Sequence, residues 1–577
     1  MNQEFTLNND KLIINFTSKY CDNMESLLNS STFRRVLEIY LKKAEKAKNN
    51  SYKLIIKAAN ESKIENLSKI LIQVFKFLTV MNREEVMALH ESYKNLLQDK
   101  DDFIGLIENI YSYWRKLERY TVINNHRKME GIASVSFEDA NSEFSKLILK
   151  LYRKIEKNVV GHMPNVFRQI PAGGNASILI NNILWPTPCQ YEKLEEIPFL
   201  ECVSIQAPFI TYPKNNKREG VFEEVFENPI HRASITKGSW YCYPAKVGTL
   251  LAYIYFHKDF MSHGITLCNL FELATVDECR GRKPDIVQIF GSKDDLELKT
   301  VFYDDKKNDI MVGYVNHTEK TDYFGYMKKM LLTLHNLIMI KREALPIHGA
   351  MVNISLKNGK NANVVIVGDS GAGKSESLEA LRALGEEYIS DMTIIFDDMG
   401  VLKNDNGLVK GYGTEIGAFV RLDDLDQGYA FKELDRSIFM NPDKVNARLV
   451  MPVSSYKDIT EGRSVDIILY ANNYDEAKEN SIKMFKDKNK AIEIFKTGRR
   501  MAKGTTTEKG FVESYFANPF GPVQKKEQVD KLLDTYFNDM FNIGIKVGEI
   551  KTQLALVGKE KEGPNKAALE LLEIIKK

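Results

Sequence analysis

The stretch VVIVGDSGAGKSESLEAL, residues 364–381, constrains the fold more than any other. Val364 to Val367 predict a short buried strand. Gly368, Gly371 and Gly373 permit a tight turn, and Lys374 and Ser375 open a helix continuing through Leu378 and Leu381. This is G-x-x-x-x-G-K-[ST] in strand–loop–helix context, a phosphate-binding loop formed by Gly368, Asp369, Ser370, Gly371, Ala372, Gly373, Lys374 and Ser375. Such a loop turns backbone N–H groups and a helix N-terminus toward an anion. Lys374 is placed to reach the outer phosphates, and Ser375 to put its hydroxyl on a divalent cation. The chain is therefore expected to contain an α/β nucleotide-binding domain. The fate of the bound phosphate is open, because motors, switches and small-molecule kinases all use this motif.

At 577 residues the chain has room for several domains. Its 80 Lys and Arg nearly balance 78 Asp and Glu, so global charge points to neither nucleic acid nor membrane. The longest apolar run, GTLLAYIYF, has about half the ~18 residues of a spanning helix. The start MNQEFTLNNDKL lacks the features of a signal peptide. Six scattered cysteines without a C-x-x-C read as reduced thiols of a cytoplasmic protein.

Three regions differ in texture. Residues 1–160 are Lys/Glu/Asn-rich and helical in period, with Leu67, Ile70, Leu71, Val74 and Leu78 at helix spacing. They read as a helical region for docking or self-association. Residues 161–320 are richer in Pro and Gly, with short runs such as FITYP and DIMVGYV that predict a mixed α/β middle domain. Residues 321–577 hold the phosphate loop.

Around the loop, DYFGYMKKM supplies Tyr323, Lys328 and Lys329, and PIHGAMV supplies His348. YISDMTIIFDDMG places Asp391, Asp397 and Asp398 at 17, 23 and 24 residues after Lys374. The run Met392–Phe396 reads as a strand with acids at both ends, one of which would hold a metal. Taken singly, His348 reads as a core histidine, and Lys328 and Lys329 as a solvated helix face.

In order, however, Y-x-G-x-M-K-K, I-H-G, the phosphate loop and the acids resemble the catalytic half of the ATP-dependent phosphoenolpyruvate carboxykinases. The resemblance continues through GYGTEIGAFVRLDDL (411–425), Arg448 in NARLVMPV, and TGRRMAKGTTTEKGF (497–511), which resembles a lid with Thr507, Glu508, Lys509 and Gly510. GPNKAALELLEII resembles the family's final helix. The resemblance implies a mixed-sheet carboxykinase-type domain using ATP, Mn2+ and Mg2+. It implies Lys329, His348 and Asp391 as ligands of the transition metal. It places Lys328 and Tyr323 beside the substrate, and Arg448 between the γ-phosphate and a carboxylate. The implied reaction is decarboxylation and phosphorylation of oxaloacetate or a related small carboxylate.

The metal set is chemically consistent. A lysine ligates only as a neutral amine, and deprotonating one at pH 7 costs about 4–5 kcal/mol from a pKa of about 10.4. A divalent ion, Lys328 and Arg448 would supply the positive charge that lowers it. Imidazole, amine and carboxylate together favour manganese over magnesium.

The family's N-terminal G-R-S-P-K-D-K segment has no clean copy. RGRKPD (280–285) carries G-R-x-P but stands only about 45 residues before Lys329, far closer than the family places it, and reads as a chance basic turn. The loop with its preceding H-G and following acid also resembles HPr kinase/phosphorylase, in which an aspartate near 391 would act as general base toward a serine hydroxyl. A nucleotide-dependent switch or scaffold without turnover is a third reading.

Overall fold

The computed structural model describes residues 5–8, 11–16, 21, 23–47, 50–124, 133–161, 174–206, 208–293, 300–422, 425, 436–502 and 510–576. The chain is mixed α/β and divides into two compact units, residues 1–181 with 200–209, and residues 182–199 with 210–577. Among the described residues, no helix is long and apolar enough to cross a membrane.

The first unit is largely helical, as its period predicts. The helix Ile64–Leu78 buries Leu67, Leu71, Val74 and Leu78 in one core with Phe103, Leu106 and Ile107 of the helix Lys100–Lys116. Asn82 and Asp99 cap helix starts by accepting backbone N–H bonds. The region is not helical throughout. The strand Lys11–Phe16 pairs antiparallel with Phe5–Asn8 and parallel with Glu118–Asn124, which in turn runs parallel to Ala176–Asn181.

The second unit contains residues 182–199 and 210–320 of the Pro- and Gly-rich middle region together with residues 321–577, which carry the glycine-rich loop. In its first layer, Leu250–His257 and Ile310–Asn316 both run parallel to Ile286–Ser292, which lies between them. The apolar run LLAYIYFH is thus a central strand, buried at every residue. Parallel strands covered on both faces are apolar throughout, without alternation.

The helix Phe324–Lys341 packs against strands of this layer and of a second sheet. It is buried almost all round, so Lys328 and Lys329 do not stand on a solvated face. The second sheet runs in the order Arg463–Ser464, Leu408–Gly413, Ile389–Asp405, Leu345–Leu356, Asn361–Val367, Ile467–Asn472, Lys546–Lys551, Ile482–Met484. Its first half is antiparallel, while Asn361–Val367, Ile467–Asn472 and Lys546–Lys551 are parallel. The helices Lys374–Ala383 and Glu562–Lys576 share one apolar core on it. A smaller sheet sets Gly417–Arg421 and Ile438–Met440 on either side of Arg448–Pro452.

Candidate functional site

The phosphate loop joins the strand Asn361–Val367 to the helix Lys374–Ala383. Gly373 occupies the N-cap at φ +98, and a Cβ there would lie 2.5 Å from Thr552 Oγ1, so only glycine fits. Neighbouring strands brace the loop's carbonyls. Thr552 Oγ1 donates to Ala372 O at 2.8 Å, and Asn473 Nδ2 donates to Gly371 O at 2.9 Å. Lys374 folds back to donate to Gly368 O (2.7 Å) and Asp369 O (3.1 Å). Phosphate oxygens would draw the ammonium from these neutral acceptors, because charge-assisted bonds are the stronger.

Beside the loop, one carboxylate gathers three basic side chains. Asp398 Oδ2 accepts from Lys328 Nζ at 2.6 Å and from Lys329 Nζ at 2.7 Å, while Oδ1 faces His348 Nε2 at 3.1 Å. Strand register causes this meeting: Gly349 stands opposite Asp398, and His348 opposite Met399. At Gly349 a Cβ would meet Ile366 O at 2.4 Å, so the close strand approach requires glycine. Asp398 adopts φ +113, a strained conformation for a residue with a side chain and one that clusters at functional sites.

The electrostatics follow from burial and neighbours. Burial alone would raise the Asp398 pKa, but the ammonium groups of Lys328 and Lys329 hold it far below the usual carboxylate range. Burial lowers Lys329 to about 8, with Lys328 adding to the effect and Asp398 opposing it. Lys328 would also fall through burial, but Asp398 and Glu415 (2.9 Å away) hold it above its ordinary value. Glu415, buried there, rises to about 7. Burial keeps His348 low and therefore neutral.

Ala517 O lies 2.6 Å from His348 Nδ1. A carbonyl only accepts, so Nδ1 carries the proton and the Nε2 lone pair points at an ionised carboxylate oxygen. A cation held between these two acceptors would satisfy both, and Lys329 adds an amine already lowered toward neutrality. Imidazole, carboxylate and amine fit a divalent transition ion.

A cleft of about 980 Å3 opens from the loop and this cluster. Ser375 and Asp397 line it together, a hydroxyl and a carboxylate suited to a magnesium ion on a nucleotide. Burial and the charge of Asp398 raise the Asp397 carboxyl. Tyr323, Arg448 and Arg218 also line the cleft. Arg448 Nε is buried without a hydrogen-bond partner, and its guanidinium stands over the Phe419 ring. Arg218 stands against the rings of Phe222 and Phe520, 5.2 and 5.1 Å from their centroids, and donates to Gly220 O.

The structure thus gathers Lys329, His348, Tyr323, Arg448, Lys374 and Ser375 around one cleft, with the fully buried Lys328 joined to them through Asp398. Asp391 does not join them. It is exposed and stands opposite Ser355, seven residues along its strand from Asp398, because register and not proximity in sequence selects the acid that meets His348. Arg280 and Arg282 are not among the cleft's lining residues, and Arg280 pairs with Asp277 at 3.5 Å. Arg218 has no motif to announce it. Within the segment 497–511 and just after it, Arg499–Met501 pairs with Phe511–Glu513, and Arg500 Nε donates to Asp369 Oδ2 at 3.1 Å. Thr507, Glu508 and Lys509 lie outside the described residues.

Compared with models of known protein families the chain matches none, and no curated protein matches it significantly.

Proposed function

We propose that the second unit is a carboxykinase-like phosphotransferase, using ATP to decarboxylate and phosphorylate oxaloacetate or a related small carboxylate. The observation that carries this reading is the convergence of Lys329, His348 and Asp398 beside the phosphate loop, in a cleft that Arg218 and Arg448 also line. A cation at the three ligands would supply positive charge to an enolate oxygen, as Mn2+ does in such chemistry.

The protein's own groups account for the rest. Lys374 and the loop amides would hold the β- and γ-phosphates, and Ser375 and Asp397 would supply the oxygen ligands of Mg2+. Arg448, with an unpartnered buried N–H, binds substrate carboxylate or γ-phosphate, and Arg218 takes the second carboxylate. As the carbon–carbon bond breaks, its electron pair becomes the enolate's. The enolate oxygen takes the γ-phosphoryl group, and carbon dioxide and ADP leave. Lys328, held charged between Asp398 and Glu415, steadies the anion.

A serine-kinase reading rests on a separate observation. Asp397 lines the cleft with a raised carboxyl, the property of a general base for a hydroxyl. One assay separates the readings: protein, Mn2+, Mg2+ and ATP, with oxaloacetate or with serine-bearing acceptors. Phosphoenolpyruvate lost in Arg448→Ala supports the carboxykinase reading. Phosphoserine formed while oxaloacetate is untouched replaces it.

A further inference from the structure

A second group of metal-ligating side chains lies outside the cleft lining. His257 closes the strand Leu250–His257, and His317 follows the strand Ile310–Asn316. Both strands run parallel to Ile286–Ser292 between them, so their carboxyl ends open at one edge, where α/β folds bind ligands. At that edge the central strand bulges: its register with Ile310–Asn316 shifts between Phe290 and Ser292, and Gly291 adopts φ +89. A Cβ on Gly291 would lie 2.4 Å from the Phe260 ring and 3.2 Å from His257 Cβ. The missing side chain lets the two imidazoles approach to 5.6 Å between ring centroids.

Asp259 lies in the short 3-10 turn Lys258–Phe260, directly after His257. Its Oδ2 stands 2.8 Å from His317 Nε2 and 3.4 Å from His257 Nδ1. One ligand atom from each of the three residues lies within 4.8 Å of the others. Zinc bonds of about 2.0–2.2 Å in a tetrahedron place neighbouring ligand atoms ~3.3–3.5 Å apart, so small rotations suffice to admit an ion. The Asp259 backbone N–H donates to His257 Nδ1 at 3.3 Å, so that nitrogen carries no proton, and an ion there would take the lone pair from this long bond. Aromatic edges hold both rings: Trp240 packs on His257, and Phe260 on His317 at 4.8 Å. Lys293 Nζ, on a side chain 59% exposed, lies 3.3 Å from Asp259 Oδ2, close to where an ion would bind.

We propose that His257, Asp259 and His317 form a metal site distinct from that beside the phosphate loop, taking one divalent transition cation of the zinc class. Two imidazoles and a carboxylate suit Zn2+ and Co2+ better than Mg2+ or Ca2+, and three protein ligands would leave a fourth position for water. Lys293 acts as a tethered competitor that leaves when the ion enters.

Cobalt(II) titration of the chelator-treated full chain tests this. In a His348→Ala background, which disables the site beside the loop, one equivalent of Co2+ should bind with visible d–d absorption, and Zn2+ should displace it and raise the melting temperature. His317→Gln should abolish that signal while leaving the far-UV spectrum unchanged. Lys293→Met, which deletes the competing ammonium without touching a ligand, should tighten Co2+ binding at least threefold and decides the matter if His317→Gln fails to fold. Absence of the equivalent in the His348→Ala protein overturns the assignment, as does Co2+ affinity unmoved by Lys293→Met. Because the readout is metal binding in a variant lacking His348, its failure is independent of any failure to turn over oxaloacetate.

Discussion

His348 Nε2 and Asp398 Oδ1 face each other at 3.1 Å, both as acceptors, because the Ala517 carbonyl holds the proton on His348 Nδ1. A cation relieves that opposition, and Lys329 stands ready as a third ligand on the other carboxylate oxygen.

The first prediction concerns this pair. Asp398→Asn should weaken Mn2+ binding at least about a hundredfold, since it removes a charged ligand and leaves two lysines beside a neutral amide. Asp391→Asn, seven residues along the same strand and exposed, should leave the affinity unchanged. Manganese titration followed by electron paramagnetic resonance reads both, and equal effects would remove Asp398 from the ligand set.

The second concerns the loop glycines. Gly373→Ala puts a Cβ 2.5 Å from Thr552 Oγ1 at φ +98. The strain costs about 1–3 kcal/mol, and the loop must shift from the carbonyls that Thr552 and Asn473 brace. ATP affinity should fall at least tenfold. Gly359→Ala makes a useful contrast: at φ +86 it is strained but meets nothing within 4 Å. It should lower the melting temperature while ATP binding, measured with a fluorescent analogue, persists.

The third concerns acid stability. His335 is 1% exposed, and burial lowers its pKa from 6.5 to about 4. A group lowered in the folded state contributes stability that is complete above its unfolded pKa and is lost as pH falls through the folded one. The wild type should therefore lose up to about 3 kcal/mol through this group between pH 6.5 and 4, at 1.36 kcal/mol per unit. His335→Gln keeps a hydrogen-bonding side chain and cannot titrate. Urea denaturation at both pH values should show a shallower pH dependence in the variant, and identical slopes would refute the assignment.

How much of this could be read from residues alone depended on the range of the interactions. The phosphate loop was legible because strand, turn and helix are adjacent in sequence and glycine is obligatory at Gly373. The helical period of Leu67 to Leu78 was legible for the same reason. Choosing Asp398 over Asp391 was not, because both acids flank the same apolar run and only pairing with the strand carrying His348 separates them. The strands Lys11–Phe16 and Glu118–Asn124 hid among helices because they pair with each other across about a hundred residues, Lys11 standing opposite Glu118. Lys328 looked solvated because a lysine pair on a helix usually is. Here Asp398 and Glu415, from other elements, compensate its burial.

Arg218 is the extreme case of that long-range dependence, and it carries the last prediction. It arrives in the cleft from a segment more than 100 residues before Lys329, pinned by Asn215 Nδ2 on Lys320 O and by Asn216 Nδ2 on Val445 O. The rings of Phe222 and Phe520 both stand against its guanidinium, 5.2 and 5.1 Å from their centroids, and limit how it can turn. If Arg218 binds a substrate carboxylate, Arg218→Ala should raise KM for oxaloacetate at least tenfold and leave ATP affinity within twofold. Arg218→Lys should recover only part of the loss, because an ammonium keeps the charge but neither the paired N–H geometry nor the planar contact with two rings. Arg280→Ala, on an exposed turn outside the cleft lining, should change neither constant. Steady-state kinetics with oxaloacetate and ATP varied separately reads all three variants. A loss confined to ATP in Arg218→Ala would move this arginine from the acceptor to the nucleotide.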